Sequence, residues 1–118
     1  MHKLDKNVDL SFLKEKTLLQ VCVGLNILIL RFDDDIAISV ESMIKLFSNN
    51  GEIYQYENFI YIDKEFLGLL GKSIVSVTPD KLGTLTLIFE DESKIEIIDD
   101  SDKYESYQIT GNRQTIIV

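Results

Sequence analysis

The sequence predicts a mainly β domain, with two related antiparallel β-units forming a sandwich or a partly open barrel and one or two short helices beside them. Three observations carry this prediction. Residues 84–98 read TLTLIFEDESKIEII, in which Leu85, Leu87 and Phe89 and then Ile95 and Ile97 recur at the period of two that places one side of a strand in a core. The same design stands earlier, in ILILRFDDDIAISV, where Leu28, Leu30 and Phe32 precede a second run of three acids. The apolar runs are separated by turn formers, Asn49-Asn50-Gly51 and Pro79-Asp80 with Gly83.

The two runs align in detail. Leu28, Leu30 and Phe32 match Leu85, Leu87 and Phe89 at an offset of 57, and Asp33-Asp34-Asp35 falls on Glu90-Asp91-Glu92. Ile36 and Ile38 match Ile95 and Ile97 at 59, while upstream Phe12-Leu13 faces Phe66-Leu67 and Val21 and Val23 face Val75 and Val77 at 54. Each half therefore reads as a short apolar helix or turn, a strand, and a hairpin. This order predicts an internal duplication, 10–41 and 64–98, within one domain spanning 1–118.

Between the halves, Ile36, Ile38, Val40, Ile44 and Leu46 keep a strand's alternation, although Val40, Met43, Ile44 and Phe47 also fit a helix. The Asn49-Asn50-Gly51 turn favours strands over 36–48 and 52–62, with a helix at 41–48 as the alternative. Asp63 is placed to cap a brief helix, KEFLGLL, that Gly71 stops. SIVSV follows as a strand. Tyr104 to Thr110 reads as another, Gly111-Asn112-Arg113 as a turn, and QTIIV as a last strand.

Composition narrows the function. Twenty acids against twelve bases give a net charge of −8 over 118 residues, and such a surface is repelled by a phosphate backbone, so no nucleic acid is expected as partner. No apolar run reaches the ~18 residues of a membrane span, and the N-terminal segment lacks the apolar stretch of a signal peptide. The expectation is a cytoplasmic protein with no membrane partner.

Catalytic chemistry finds little to work with. His2 is the only histidine and stands at a terminus, where a catalytic base is not held in a cleft. Cys22 is the only cysteine and lies between two valines, which suits a small buried hydrophobe better than a reactive thiol. No phosphate-binding glycine loop occurs. The acids of Asp33–Asp35, Glu90–Glu92 and Asp99-Asp100-Ser101-Asp102 are adjacent without glycine, so alternate carboxylates point to opposite faces instead of converging on a cation. No enzyme activity, cofactor or metal is expected.

What remains is recognition. Tyr104 and Ser106 share one face of a strand and Glu105 and Tyr107 the other; tyrosine combines a large apolar body with a hydrogen-bonding tip. Tyr54 and Tyr56, with Tyr61, form a second aromatic group around the central hairpin. The candidate binding residues are accordingly Asp33, Asp34, Asp35, Glu90, Asp91, Glu92, Tyr104, Glu105 and Tyr107.

LLGKSIVSV (69–77), GTLTLIFEDESKIEI (83–97) and above all KYESYQITG (103–111) give the chain its resemblance to a family of small uncharacterised bacterial domains. Tyr104, Glu105 and Ser106 match that family's C-terminal Tyr-Glu-Ser-Trp pattern. Tyr107 replaces its tryptophan, and Asp91-Glu92 stands where Asp-Gly is common. The resemblance implies a β-rich fold and no mechanism. Small size, acidity and the missing catalytic set then lead to a non-catalytic protein-binding domain, an immunity-type inhibitor of a bacterial toxin. Its partner would be a basic toxin domain met by the acidic hairpin tips. The alternatives are a structural or oligomerisation module and a small-ligand-binding β-barrel; the oligomeric state is not set by the sequence.

Overall fold

Among the described residues, alternation of apolar and polar side chains is realised as ten strands in two antiparallel sheets. The computed structural model describes residues 8–80, 82–99, 106–111 and 113–118. The strands are β1 (Leu18–Val23), β2 (Leu28–Phe32), β3 (Ala37–Val40), β4 (Ile44–Phe47), β5 (Ile53–Tyr56), β6 (Ile74–Pro79), β7 (Leu85–Phe89), β8 (Lys94–Ile97), β9 (Tyr107–Gly111) and β10 (Gln114–Ile117). A short helix, α1 (Lys64–Leu67), and two 3-10 turns, Ser11–Leu13 and Phe59–Tyr61, complete the described elements.

One sheet runs β1-β2-β3-β9-β10 and the other β5-β4-β8-β7-β6. Each therefore combines a three-stranded meander from one half of the chain with a hairpin contributed by the other half. The two meanders share one register. Leu28 pairs with Val40 and Leu30 with Ile38, while Leu85 pairs with Ile97 and Leu87 with Ile95, at the same offset of 57. The incoming strands dock alike: Ile38 faces Ile109 in β9, and Ile95 faces Leu46 in β4. Even the irregularities correspond, with shifts between Leu18 and Gln20 in β1 and between Ile74 and Ser76 in β6.

The inward residues of both sheets fuse into one core, in which Leu28, Leu30, Ile38, Val40, Ile44, Leu85, Leu87, Ile95, Ile97 and Ile109 are fully buried. Burying such side chains is the main favourable term, about 1.5–3 kcal/mol each. The result is a sandwich with open sheets, joined at one corner where Thr17 bridges Ser73.

Several local expectations change. The strand expected over 36–48 is two strands, broken at Glu41–Met43, where the chain leaves one sheet and enters the other. Glu41 and Ser42 N–H both donate to Ser106 O there, so the corner is held by backbone bonds and no helix forms at 41–48. The strand expected over 52–62 ends at Tyr56. Asn58 then caps the 3-10 turn, its Oδ1 accepting from Ile60 N–H at 3.2 Å. Ile38 corresponds to Ile95 and not to Ile97, because both turns hold the same number of residues and the offset stays 57. Asp63 occupies the N-cap position of α1 but makes no cap; its carboxylate accepts the Tyr56 hydroxyl at 3.0 Å instead.

Candidate functional site

The two acidic turns are built differently and lie together. In the first, Phe32 N–H donates to Ile36 O at 2.8 Å and Ile36 N–H to Asp33 O at 3.3 Å. Asp34 and Asp35 both adopt positive φ, +60° and +59°, the pair of left-handed residues that a type I′ hairpin turn requires. In the second, Phe89 N–H donates to Ser93 O and Glu92 N–H to Phe89 O, with Glu92 alone left-handed at +74°. Glycine is the usual residue at such a position, so the glutamate there costs conformational energy.

Both turns hang from the corner that joins the sheets. Thr17 N–H donates to Asp33 Oδ1 at 3.2 Å, and Asp33 N–H returns a bond to Thr17 O. On the other side Glu90 N–H donates to Ser73 O at 2.9 Å. Thr17 and Ser73 complete the link through their hydroxyls, 2.8 Å apart. Thr17 and Ser73, 56 positions apart in the sequence, thus sit side by side, and the two acidic turns flank the pair. A third element joins them: Glu15, also left-handed at +70°, donates its N–H to Ile74 O at 2.7 Å. Among the described residues, five non-glycine residues have positive φ, and the four acids among them surround this one bridge; the fifth is Arg113.

The six acids of the turns divide by duty. Asp33 and Asp91 are half-buried and hold backbone amides, Asp33 that of Thr17 and Asp91 that of Ser93 at 3.0 Å. Asp34, Asp35, Glu90 and Glu92 are exposed. Lys16 sits over the first turn and bonds Asp34, which holds its ammonium above the ordinary lysine value, with desolvation working against this. Beside Asp91 a polar groove of about 210 Å³ opens between the β4–β5 loop and α1, with Ser48, Asn50, Lys64 and Glu65 on its walls.

The tyrosines go elsewhere. Tyr107, counted among the binding candidates, is 1% exposed and donates its hydroxyl to Gly83 O at 2.6 Å. Burial raises its pKa, with the Asp99 and Asp80 carboxylates adding to the effect. It closes the core and presents nothing to a partner. Tyr104 and Glu105 lie outside the described residues, as does Asp100-Ser101-Asp102. Tyr56 is buried edge-on to Phe66, 5.6 Å between ring centres. Tyr54 reaches Glu52 Oε2 at 2.8 Å, and that bond, with some burial, pushes its phenol up to about 12. Only Tyr61, 70% exposed, offers its ring to solvent among these three.

Sequence reasoning found both acidic turns but not their adjacency, and it missed Glu15, Thr17 and Ser73. The signal for the last two was present, since each stands just before the strand that opens its meander. Nothing in the local pattern singles out Glu15. Among the described residues no group of three or more His, Cys, Asp or Glu side chains is placed to hold a metal ion. The arrangement presents the exposed carboxylates of Asp34, Asp35, Glu90 and Glu92.

Comparison with known proteins places this geometry in a family context. The chain belongs to a family of unknown function (DUF6188), whose model matches residues 11–118. No curated protein and no solved structure matches it.

Proposed function

We propose that this member of the family is a non-catalytic protein-binding domain that presents its acidic end to a basic partner, in the manner of an immunity-type inhibitor meeting a bacterial toxin. One observation carries the reading: Glu15, Asp34, Asp35 and Glu92 all hold left-handed backbone around the Thr17–Ser73 bridge. Left-handed conformation costs a non-glycine residue roughly 1–2 kcal/mol, less for aspartate. Acids kept where glycine or asparagine would be easier suggest that the charge itself is used. Clustered carboxylates steer a basic partner and hasten encounter, an effect that salt weakens.

The duplication of 10–41 as 64–98 belongs to the same reading, since the shared register gives each half one acidic turn at the common corner. A small-ligand barrel has less support, because the space between the sheets is filled by leucine, isoleucine and phenylalanine side chains.

The test is affinity purification from the native host with the wild-type chain and with a variant carrying Asp34→Asn, Asp35→Asn, Glu90→Gln and Glu92→Gln. The reading expects a basic protein, encoded beside this one, that is retained by the wild type and lost by the variant. A partner retained equally by both would refute the acidic-end mode. A wild-type chain that holds no protein above background would sink the reading altogether.

A further inference from the structure

Four edge strands bound the two sheets: β1 and β10 on one, β5 and β6 on the other. An exposed edge is a template for another strand, and proteins usually blunt it with charge, proline or brevity. β5 is four residues long and flanked by Glu52 and Glu57, and β10 is four residues long and follows Arg113. β1 and β6 are longer, six residues each, and carry no charged residue.

The hairpin pattern tells which amides of β1 and β6 face outward. Gly24 N–H donates to Ile27 O, so Cys22–Ile29 and Gln20–Arg31 are the bonded pairs of the ladder, and the backbone groups of Val21 and Val23 point away from β2. In β6, Asp80 N–H donates to Thr84 O, which leaves Val77 and Pro79 pointing outward. Pro79 has no N–H to offer. The second meander therefore stops its edge with proline at the position where the first has Val23.

The geometry points to β1 as a self-association edge, pairing antiparallel with β1 of a second copy about a twofold axis at Cys22. In that register Val21 faces Val23 of the other copy and exchanges both backbone bonds with it, on each side of the axis. The same register sets Leu19 against Leu25 of the other copy. These are among the most exposed apolar side chains described, 60% and 74% accessible. A second copy is the fitting occupant because the strand is complementary to itself, in the isologous manner of twofold dimers. The paired segment, residues 19–25, also carries no charge, so two chains of net charge −8 meet there without like charges facing each other. The pairing would join two five-stranded sheets into one continuous sheet.

The register makes its own probe. The two Cys22 residues face each other as a non-bonded antiparallel pair, about 4.5 Å between Cα atoms, within the span a disulfide bridges. The experiment is sedimentation of the full chain across a hundredfold concentration range, with diamide oxidation read on a non-reducing gel. The expected result is a species of twice 13.5 kDa that cross-links through Cys22. Val21→Pro removes an outward N–H that serves no bond within the chain, and Val23→Lys places a charge beside the axis, against Val21 of the other copy. Each is expected to weaken association at least tenfold while the circular dichroism spectrum is kept. Should Val21→Pro fail to fold, Val23→Lys decides alone. A monomer throughout the range overturns the proposal. So does a dimer that neither substitution weakens, or one that gives no cross-link, since it would form through another surface such as β10.

Discussion

The hydroxyl oxygens of Thr17 and Ser73 lie 2.8 Å apart and tie the start of β1 to the start of β6, at a corner where the two sheets meet. Both groups are part-buried, so removing either partner leaves the other short of a bond. Thr17→Val or Ser73→Ala alone should cost about 1–2 kcal/mol in urea unfolding, and the double variant less than the sum, by about 0.5–1 kcal/mol. Strict additivity would show that the hydroxyl pair contributes nothing beyond the backbone bridge.

Tyr107 and Gly83 give a second measure. Tyr107→Phe leaves the buried Gly83 carbonyl without its 2.6 Å donor, and a loss of about 1–3 kcal/mol is expected. Gly83 itself is held at a φ of +95°, and a Cβ there would collide with the Asp99 carboxylate. Gly83→Ala should therefore lose more than the about 1–3 kcal/mol of backbone strain alone.

Alkali should separate the tyrosines. Hydrogen bonding to Glu52 raises Tyr54 to about 12, and burial with Asp63 beside it raises Tyr56 further, while burial raises Tyr107. A phenol whose folded pKa exceeds its unfolded value contributes stability that is complete below pH ~10 and is lost as pH rises through the folded pKa. Absorbance at alkaline pH should show these three ionising late, and unfolding should accompany the last of them. Ordinary ionisation of all three near pH 10 would contradict their hydrogen bonds.

At the second acidic turn, Glu92→Gly relieves a left-handed glutamate. It should raise stability by about 0.5–1 kcal/mol after the entropy of glycine is allowed for. If the acidic end binds a partner, the same change should slow association and reduce its dependence on salt.

Most of the fold was legible because alternation is a direct record of burial. Leu85, Leu87, Phe89, Ile95 and Ile97 are all buried, as are Leu28, Leu30, Phe32 and Ile38. The corner at Glu41–Met43 was hidden by the same rule. Val40 and Ile44 point into one core from opposite sheets, so the even-numbered pattern runs through the break without changing phase. The 3-10 turn at Phe59–Tyr61 was read as strand because its residues are apolar and aromatic, yet only Phe59 is buried and Ile60 and Tyr61 are exposed. The acids were legible as turns. Their meeting at one corner depends on pairing between Thr17 and Ser73, which no local pattern announces. Tyr107 was open to either reading, and a hydroxyl with a carbonyl to reach went inside.

The exchange of hairpins between the sheets has a consequence for how the chain assembles. β3 finds its neighbour in β9, as Val40 beside Tyr107, and β4 finds its neighbour in β8. Each sheet needs strands from both halves: the first is complete only when β9 and β10, at residues 107–117, are available, and the second, within residues 44–97, only when β4 and β5 meet the later meander. Folding should be a single slow event dominated by distant pairings. Cutting the chain in the Asn58–Asp63 region should give two pieces that are unfolded apart and recover structure only when mixed.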